Sequence, residues 1–326
     1  MGGGIRRFLN IFYPKNQFSY FRSALFLHLT YKIVKKSVIR YSDADLCIFT
    51  CYDFYNKYNN IPSLLFGDWT YKIKIIDRLK RNPYFFEIKF AQWEKESIEN
   101  ADYVVTLFPE CFNKMIEDYP TANIHYLGGN VVNSLYGKKH DVDTFINIKE
   151  RSNSILFIGG KHYIKGAQFL VDAIQLLKEK DKNIKLDIIG MKNSDFSHLP
   201  ENVYCHGYLR KDIKEERNLY YKLVIEAKAL VNPTKVWAGY SSSIEAMYFA
   251  TPVIVSHYDD FVKEFGEEIN FGIYCLGDDA VGLAKDIYSI ISSPQYSTMC
   301  RNAYERVKGY TWDSYIDRMF KMIQES

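Results

Sequence analysis

The chain has 326 residues, 47% apolar and 25% charged, with a formal net charge of +3. That length suffices for two domains with separate cores, and the composition is that of a globular protein rather than a disordered or collagenous one. Six cysteines, at 47, 51, 111, 205, 275 and 300, form no C-x-x-C pair, so neither zinc nor a disulfide framework is expected.

The charge is unevenly placed. Residues 1–42 hold Arg6, Arg7, Lys15, Arg22, Lys32, Lys35, Lys36 and Arg40 and no acid, which makes this segment +8 and leaves −5 for the rest. Phe8, Phe12, Tyr13, Phe18, Tyr20, Phe21 and Phe26 interleave the basic residues. Three readings stay open for it: a solvated helix face over core aromatics, a contact with an anionic membrane or lipid phosphate, and a nucleic-acid contact. Met1-Gly2 lacks the Ser or Thr at position 6 that myristoylation requires, and Gly2-Gly3-Gly4 precedes no clear strand. No secretory leader pattern and no apolar run near 18 residues is present, so a cytoplasmic location is expected.

Further along, Leu46–Thr50, Ser63–Phe66, Tyr103–Leu107 and Ile124–Leu127 read as strands, and Gln92–Asn100 and Cys111–Tyr119 as helices. The polar stretch Tyr136–Asn153 reads as a linker, so domains are expected over 1–148 and 151–310. In the second half, Ile155–Ile158, Lys185–Ile189, Val203–His206, Ala229–Val231, Val253–Ser256 and Gly272–Cys275 are short apolar runs. Helical spacing separates the first two, with apolar residues at 170, 171, 174 and 177. Such alternation implies a parallel sheet with helices on both faces. Thr251-Pro252 ends the helix that carries Glu245, and residues 311–326 read as an amphipathic helix.

Two strand-to-helix turns carry the chemistry. After Ile158 come Gly159, Gly160, Lys161 and the Lys165-Gly166 pair; after Val231 comes a loop with Trp237 and Tyr240, then Ser241, Ser242, Ser243 and Glu245. A helix start presents free N–H groups and the positive end of its dipole to phosphate. Lys165 adds a point charge, and the Glu245 carboxylate is an acceptor suited to sugar hydroxyls. Together they predict a nucleotide-sugar pocket. Asp68 follows a strand end, where parallel sheets place ligands, although an Asx turn accounts for it equally well. His125, His162, His206 and His257 show no metal-ligand spacing, and Asp141-Val-Asp143 falls in the polar stretch, so no bound metal is inferred.

These residues resemble the GT-B glycosyltransferases, in particular the retaining family 4. The likeness is best over 154–260: the apolar strand, the Gly159-Gly160 turn, Lys165-Gly166, Gly207-Tyr208, Glu245-Ala246-Met247 and Thr251-Pro252-Val253. Fainter echoes are Leu65–Asp68, Ala101-Asp102, Gly128–Asn130 and the ending Tyr310–Asp313. Two positions depart from the family pattern: Gly160 stands where it has Arg, with Lys161 as the nearest charge, and Trp237 stands where it has the first acid of a Glu-x7-Glu element.

The resemblance implies two Rossmann-like, doubly wound α/β domains facing a cleft: an acceptor-side domain over 1–148, to which a last helix, 311–326, returns, and a nucleotide-sugar-binding domain over 151–310. It implies transfer of a sugar from a nucleoside diphosphate donor, a UDP-sugar being favoured, to a saccharide or lipid-linked acceptor. Retention of configuration, no metal, no cofactor and a role in polysaccharide assembly follow with it. Asp68 and Lys165 are the expected catalytic residues, and Gly159, Gly160, Lys161, Lys165, Trp237, Tyr240, Ser241, Ser242 and Glu245 the expected donor-binding set. Alternatives are a non-catalytic nucleotide-sugar-binding member and a transferase that modifies nucleic acid. The basic segment is the expected contact if the protein lies at the inner face of a membrane.

Overall fold

Each apolar run becomes a strand, and the helical patterns between them become crossovers. The computed structural model describes residues 20–129, 141–235, 240–276 and 279–326. Arg6, Arg7, Lys15, Asn130, Trp237, Gly239 and the start of the polar stretch, 136–140, lie outside the described residues. The chain divides into two compact units, Met1–Gly128 and Gly129–Ser326.

In the first unit, helix α1 (Ala24–Arg40) begins at Ser23, whose hydroxyl accepts a hydrogen bond from the Phe26 N–H at 3.2 Å. Four parallel strands follow, β1 (Cys47–Phe49), β2 (Ser63–Gly67), β3 (Tyr103–Thr106) and β4 (Ile124–Tyr126), side by side in chain order. Leu64, Leu65, Val104 and Val105 are all fully buried. Successive strand residues point to opposite faces, so both faces of β2 and β3 are covered. Between these strands run a short helix α2 (Tyr71–Ile73), which continues as a π turn over Lys74–Arg78, and helix α3 (Phe85–Asn100). Helix α4 (Pro109–Asp118) links β3 to β4. The Ala101-Asp102 pair serves the sheet itself, because the Asp102 carboxylate accepts from the Ser63 N–H at 2.7 Å and ties β3 to the start of β2.

Two buried carboxylates organise the crossover. Glu94, 3% exposed, accepts the Tyr71 N–H and so caps the start of α2. Glu87 takes Arg81 and the Tyr71 hydroxyl. Burial raises the Glu94 carboxyl to about 8, whereas Arg81 and the hydrogen bonds around Glu87 outweigh burial and hold its carboxyl low.

The second unit is a six-stranded parallel sheet: β5 (Ser154–Ile158), β6 (Lys185–Ile189), β7 (Val203–Gly207), β8 (Ala227–Asn232), β9 (Val253–Ser256) and β10 (Gly272–Cys275). Their spatial order is β10-β9-β8-β5-β6-β7. The chain starts in the middle, builds outward to β7, then returns to the other side of β5. That reversal leaves a crevice between β5 and β8 at their carboxyl ends, the place where doubly wound sheets hold ligands. The four described strands of the first unit contain no such reversal.

Helix α5 (Val142–Glu150) occupies residues that read as linker from their polarity. Phe145 and Ile146 are buried, and so is Lys149, with 0% exposure. Its ammonium donates to the carbonyls of Val224, Ile225 and Ala227 at 3.2, 2.7 and 3.2 Å. Those carbonyls end helix α7 (Lys214–Glu226), where unpaired acceptors and the negative dipole end favour a cation. A lysine therefore completes the apolar face of a helix, and that face is hard to see from composition. Helix α6 (Ile164–Lys178) buries Ala167, Leu170, Val171, Ile174 and Leu177, as its spacing predicts, and packs on helix α10 (Ala280–Ile291). Helices α8 (Ser241–Tyr248), α9 (Asp259–Phe265), α11 (Tyr296–Val307) and α12 (Trp312–Glu325) complete the unit.

Candidate functional site

The crevice is built by backbone approaching backbone. At Gly190 the chain has φ +101°, and a Cβ there would sit 2.5 Å from the Gly159 carbonyl oxygen. Only glycine lets the end of β6 lie against the turn that follows β5. At Gly166 a Cβ would come within 2.6 Å of Thr234 Oγ1, so the first turn of α6 rests on the loop after β8. Ser256 Oγ donates to the Thr234 carbonyl at 2.6 Å and draws in the end of β9. The turn at Gly159-Gly160, the start of α6 and the loop through Pro233-Thr234 are thereby brought together.

Several polar groups on these elements and on α8, which follows β8, lack internal partners among the described residues. Neither α6 nor α8 has a side-chain cap on its first turn. Thr234 Oγ1 and Ser243 Oγ are buried with no hydrogen-bond partner among the described residues. Lys165 is exposed on the first turn of α6 and has no ion pair among the described residues. Lys161, the nearest charge to Gly160, pairs with Asp195 at 3.0 Å while 76% exposed. An exposed pair of that kind is worth under about 1 kcal/mol and exchanges readily for an incoming anion. Asp195 also accepts the Lys192 N–H, and that backbone bond is the leading cause of its lowered carboxyl.

Two residues of the expected donor set are otherwise engaged. The ring of Tyr240 is fully buried, edge-on to Phe261 and Phe265, so it builds the core beneath the start of α8 rather than facing a ligand. Glu245, expected to accept ribose hydroxyls, accepts from Lys211 through both oxygens at 2.6 and 2.8 Å, from the Tyr220 hydroxyl at 2.7 Å and from the Tyr221 hydroxyl at 3.2 Å. Ser241 is exposed and Ser242 half-buried at the helix start. Trp237 lies outside the described residues. Sequence reasoning missed Lys211, Tyr220, Tyr221 and Thr234; the first three are distant in sequence from Glu245, and no short spacing signals them.

Asp68 belongs to the first unit, just beyond the end of β2. It is exposed on one side, yet the protein around it excludes enough water to raise its carboxyl above the usual range. His206, on a strand, pairs with Asp187 at 2.8 Å, and Asp187 accepts from Ser154 Oγ at 2.6 Å. The serine proton points to the aspartate and not to the imidazole, so this trio is a strand-edge network and no nucleophile relay. Among the described residues no group of three His, Cys, Asp or Glu side chains is placed to hold a metal ion, and no helix is long and apolar enough to cross a membrane.

Residues 152–293, which contain all of this second-unit site, match the family described as Glycosyl transferases group 1. No curated protein sequence gives a significant match. Among solved structures, sucrose-phosphate synthase from Thermosynechococcus elongatus superposes with a TM-score of 0.63 at 19% identity, over 92% of this chain and 78% of that one. WaaG, a glycosyltransferase involved in lipopolysaccharide biosynthesis, gives 0.59 at 17% identity over 87% and 78%. Anabaena HepE in complex with UDP-glucose gives 0.60 at 14% identity over 90% and 82%. The fold is therefore GT-B: α/β, with two parallel sheets and their helices, as in these glycosyltransferase structures.

Proposed function

We propose that the protein is a glycosyltransferase that moves a sugar from a nucleoside diphosphate donor, preferably a UDP-sugar, to a saccharide or lipid-linked acceptor. The observation that carries this reading is the convergence of two uncapped helix starts, Lys165 and the orphan Thr234 and Ser243 hydroxyls at the reversal of the second sheet. Helix N–H groups would hold the diphosphate, and Lys165 would neutralise the charge that grows on it as the glycosidic bond breaks. A side-chain cation in that role makes a metal unnecessary. The likeness to family 4 supports retention and a place in surface polysaccharide assembly.

An anionic membrane is the proposed contact of the basic segment, supported by Phe21, Leu25 and Ile33, exposed by 66, 54 and 64% beside Lys32 and Lys36. Such a contact would hold the protein at the cytoplasmic face.

Thermal unfolding with a panel of nucleotide sugars tests the donor site, because a ligand that binds only the folded state raises apparent stability. UDP-sugars should raise the midpoint. Product anomers followed by NMR, with and without EDTA, then test retention and metal independence. A panel in which no nucleotide or nucleotide sugar stabilises the protein would sink the reading. One observation favours a second reading, nucleotide-sugar binding without turnover: the Glu245 carboxylate is already taken by Lys211 and two tyrosines. Donor binding with neither transfer nor hydrolysis across an acceptor panel would select it.

A further inference from the structure

Helix α7 runs into strand β8 with no turn residue between them. Its last residue, Glu226, is followed at once by Ala227, extended at φ −64° and ψ 123°. Helices commonly end on a left-handed glycine that helps to satisfy their last carbonyls. This junction has no such residue, so its carbonyls need donors from elsewhere. Side chains from three other places supply them. The Lys149 ammonium of α5 donates to Val224, Ile225 and Ala227, and Thr251 Oγ1, just after α8, donates to Val224 at 3.3 Å. The Tyr296 hydroxyl of α11 donates to the Lys228 carbonyl at 2.6 Å. At the same point β8 bulges: Ser154 and Ile155 of β5 face Ala227 and Ala229, which leaves Lys228 as the extra residue.

Two walls of the donor crevice hang from this junction. Before it, α7 carries Tyr220 and Tyr221, whose hydroxyls donate to Glu245 on α8, while Thr251 ties the end of α8 to the end of α7. After it, β8 leads to Pro233-Thr234 beneath the first turn of α6, and the register of β8 on β5 fixes where that loop lies. Lys149 is the charged member of the junction's donors. An ammonium has three N–H groups for three carbonyls; a neutral amine has two and turns a lone pair to the third. Burial lowers the Lys149 ammonium from 10.5 to about 7. The titratable groups that face the junction are Cys300 and Tyr296 on α11, Lys228 on β8, Glu226 on α7 and Glu150 on α5 itself. Of these only Cys300 acts on Lys149 beside burial, in the opposite sense, and burial pushes its own thiol up to about 11.

We propose that Lys149 is a positioning residue for the donor site and couples donor binding to a proton. Charged, it holds the α7–β8 junction in the geometry that binds a nucleoside diphosphate sugar. Neutral, it releases one of the three carbonyls, and the Glu245 contacts and the Thr234 loop lose their fixed support. Donor affinity then falls as pH rises through about 7. Coupling of this kind is reciprocal, so donor binding draws a proton onto Lys149. The inference rests on the proposed donor site, and its test separates the two.

The test is calorimetric titration of the full-length protein with UDP-glucose, or with whichever nucleotide sugar of the panel raises the unfolding midpoint most. A diphosphate esterified at both ends does not titrate near neutrality, so the ligand adds no proton of its own. Affinity should fall by about fivefold or more between pH 6 and pH 8.5. At pH 7.2, titrations in two buffers of different ionisation heat should show protons taken up on binding. Lys149→Met neither titrates nor donates, and should bind weakly at both pH values without that uptake. Lys149→Arg stays charged throughout, and should bind at pH 8.5 about as wild type does at pH 6; it decides the matter if the Met variant fails to fold. His162→Gln removes the imidazole beside Gly160 and should keep both effects. Affinity in the wild type that is level from pH 6 to 8.5 overturns the inference while donor binding stands. So does a pH dependence or proton uptake that survives in Lys149→Met or Lys149→Arg, or that vanishes in His162→Gln. If no nucleotide sugar binds at any pH, the donor reading itself fails, and this inference with it.

Discussion

At the residue scale, Lys165 and Glu245 come apart. Both were legible as charged residues beside helix starts, but one is exposed with no ion pair among the described residues and the other is enclosed by three donors. Lys165→Ala should lower kcat on the true donor by about 100-fold or more, since charge on the leaving diphosphate is greatest in the transition state. UDP affinity should fall far less; equal loss in both would mean ground-state binding only. Glu245 calls for a different measurement. Lys211→Met leaves its buried carboxylate with the two phenols alone and should cost about 1.5–3 kcal/mol of stability, read in urea unfolding. If Glu245 also serves the donor, Lys211→Met will raise the donor KM; an unchanged KM with reduced stability assigns the pair to the fold.

At the element scale, the Glu94 cap on α2 makes a prediction about pH. Burial, reinforced by the neighbouring Asp53 charge, raises the Glu94 carboxyl from 4.5 to about 8. Between those values the folded chain keeps a proton that the unfolded chain has lost. Stability therefore falls as pH rises from about 4.5 to about 8, by at most about 1.4 kcal/mol per pH unit, and levels off above. Glu94→Gln keeps an acceptor for the Tyr71 N–H and removes the titration. Urea denaturation at pH 5, 6.5 and 8 should show wild type losing ground to this variant; parallel curves would refute the assignment. Such buried ionic groups explain what sequence reading captured and what it missed. Strands were legible because parallel sheets are covered on both faces, which turns them into continuous apolar runs such as Ile155–Ile158. Helix α5 was not, because Lys149 holds a core position and its compensating carbonyls lie more than 70 residues away. The engagement of Glu245 by Lys211 was hidden for the same reason. Pairings over long sequence separation leave no local pattern.

At the scale of the whole molecule, charge is the feature that composition alone conceals: a net +3 is +8 over residues 1–42 against −5 elsewhere. In α1 that basic character is joined to exposed apolar side chains. Leu25, Leu29 and Ile33 recur every fourth residue at 54, 41 and 64% exposure, and Lys32, Lys36 and Arg40 stand exposed at the same interval. Residues three and four apart lie on one side of a helix, so the two sets share one stripe, apolar toward the start of α1 and basic toward its end. Monomeric proteins rarely leave such apolar stripes to water. An anionic bilayer satisfies both at once, with about 1 kcal/mol per basic residue near the surface and a salt-resistant share from the apolar insertion. Co-sedimentation with vesicles should show binding to phosphatidylserine-containing membranes and little to neutral ones. Replacing Lys32, Lys36 and Arg40 by Gln should weaken the anionic preference. Replacing Leu25, Leu29 and Ile33 by Ser should leave binding that raised salt abolishes. Equal pelleting with neutral and anionic vesicles, or none with either, removes the membrane from the proposal, and the stripe then needs a protein partner.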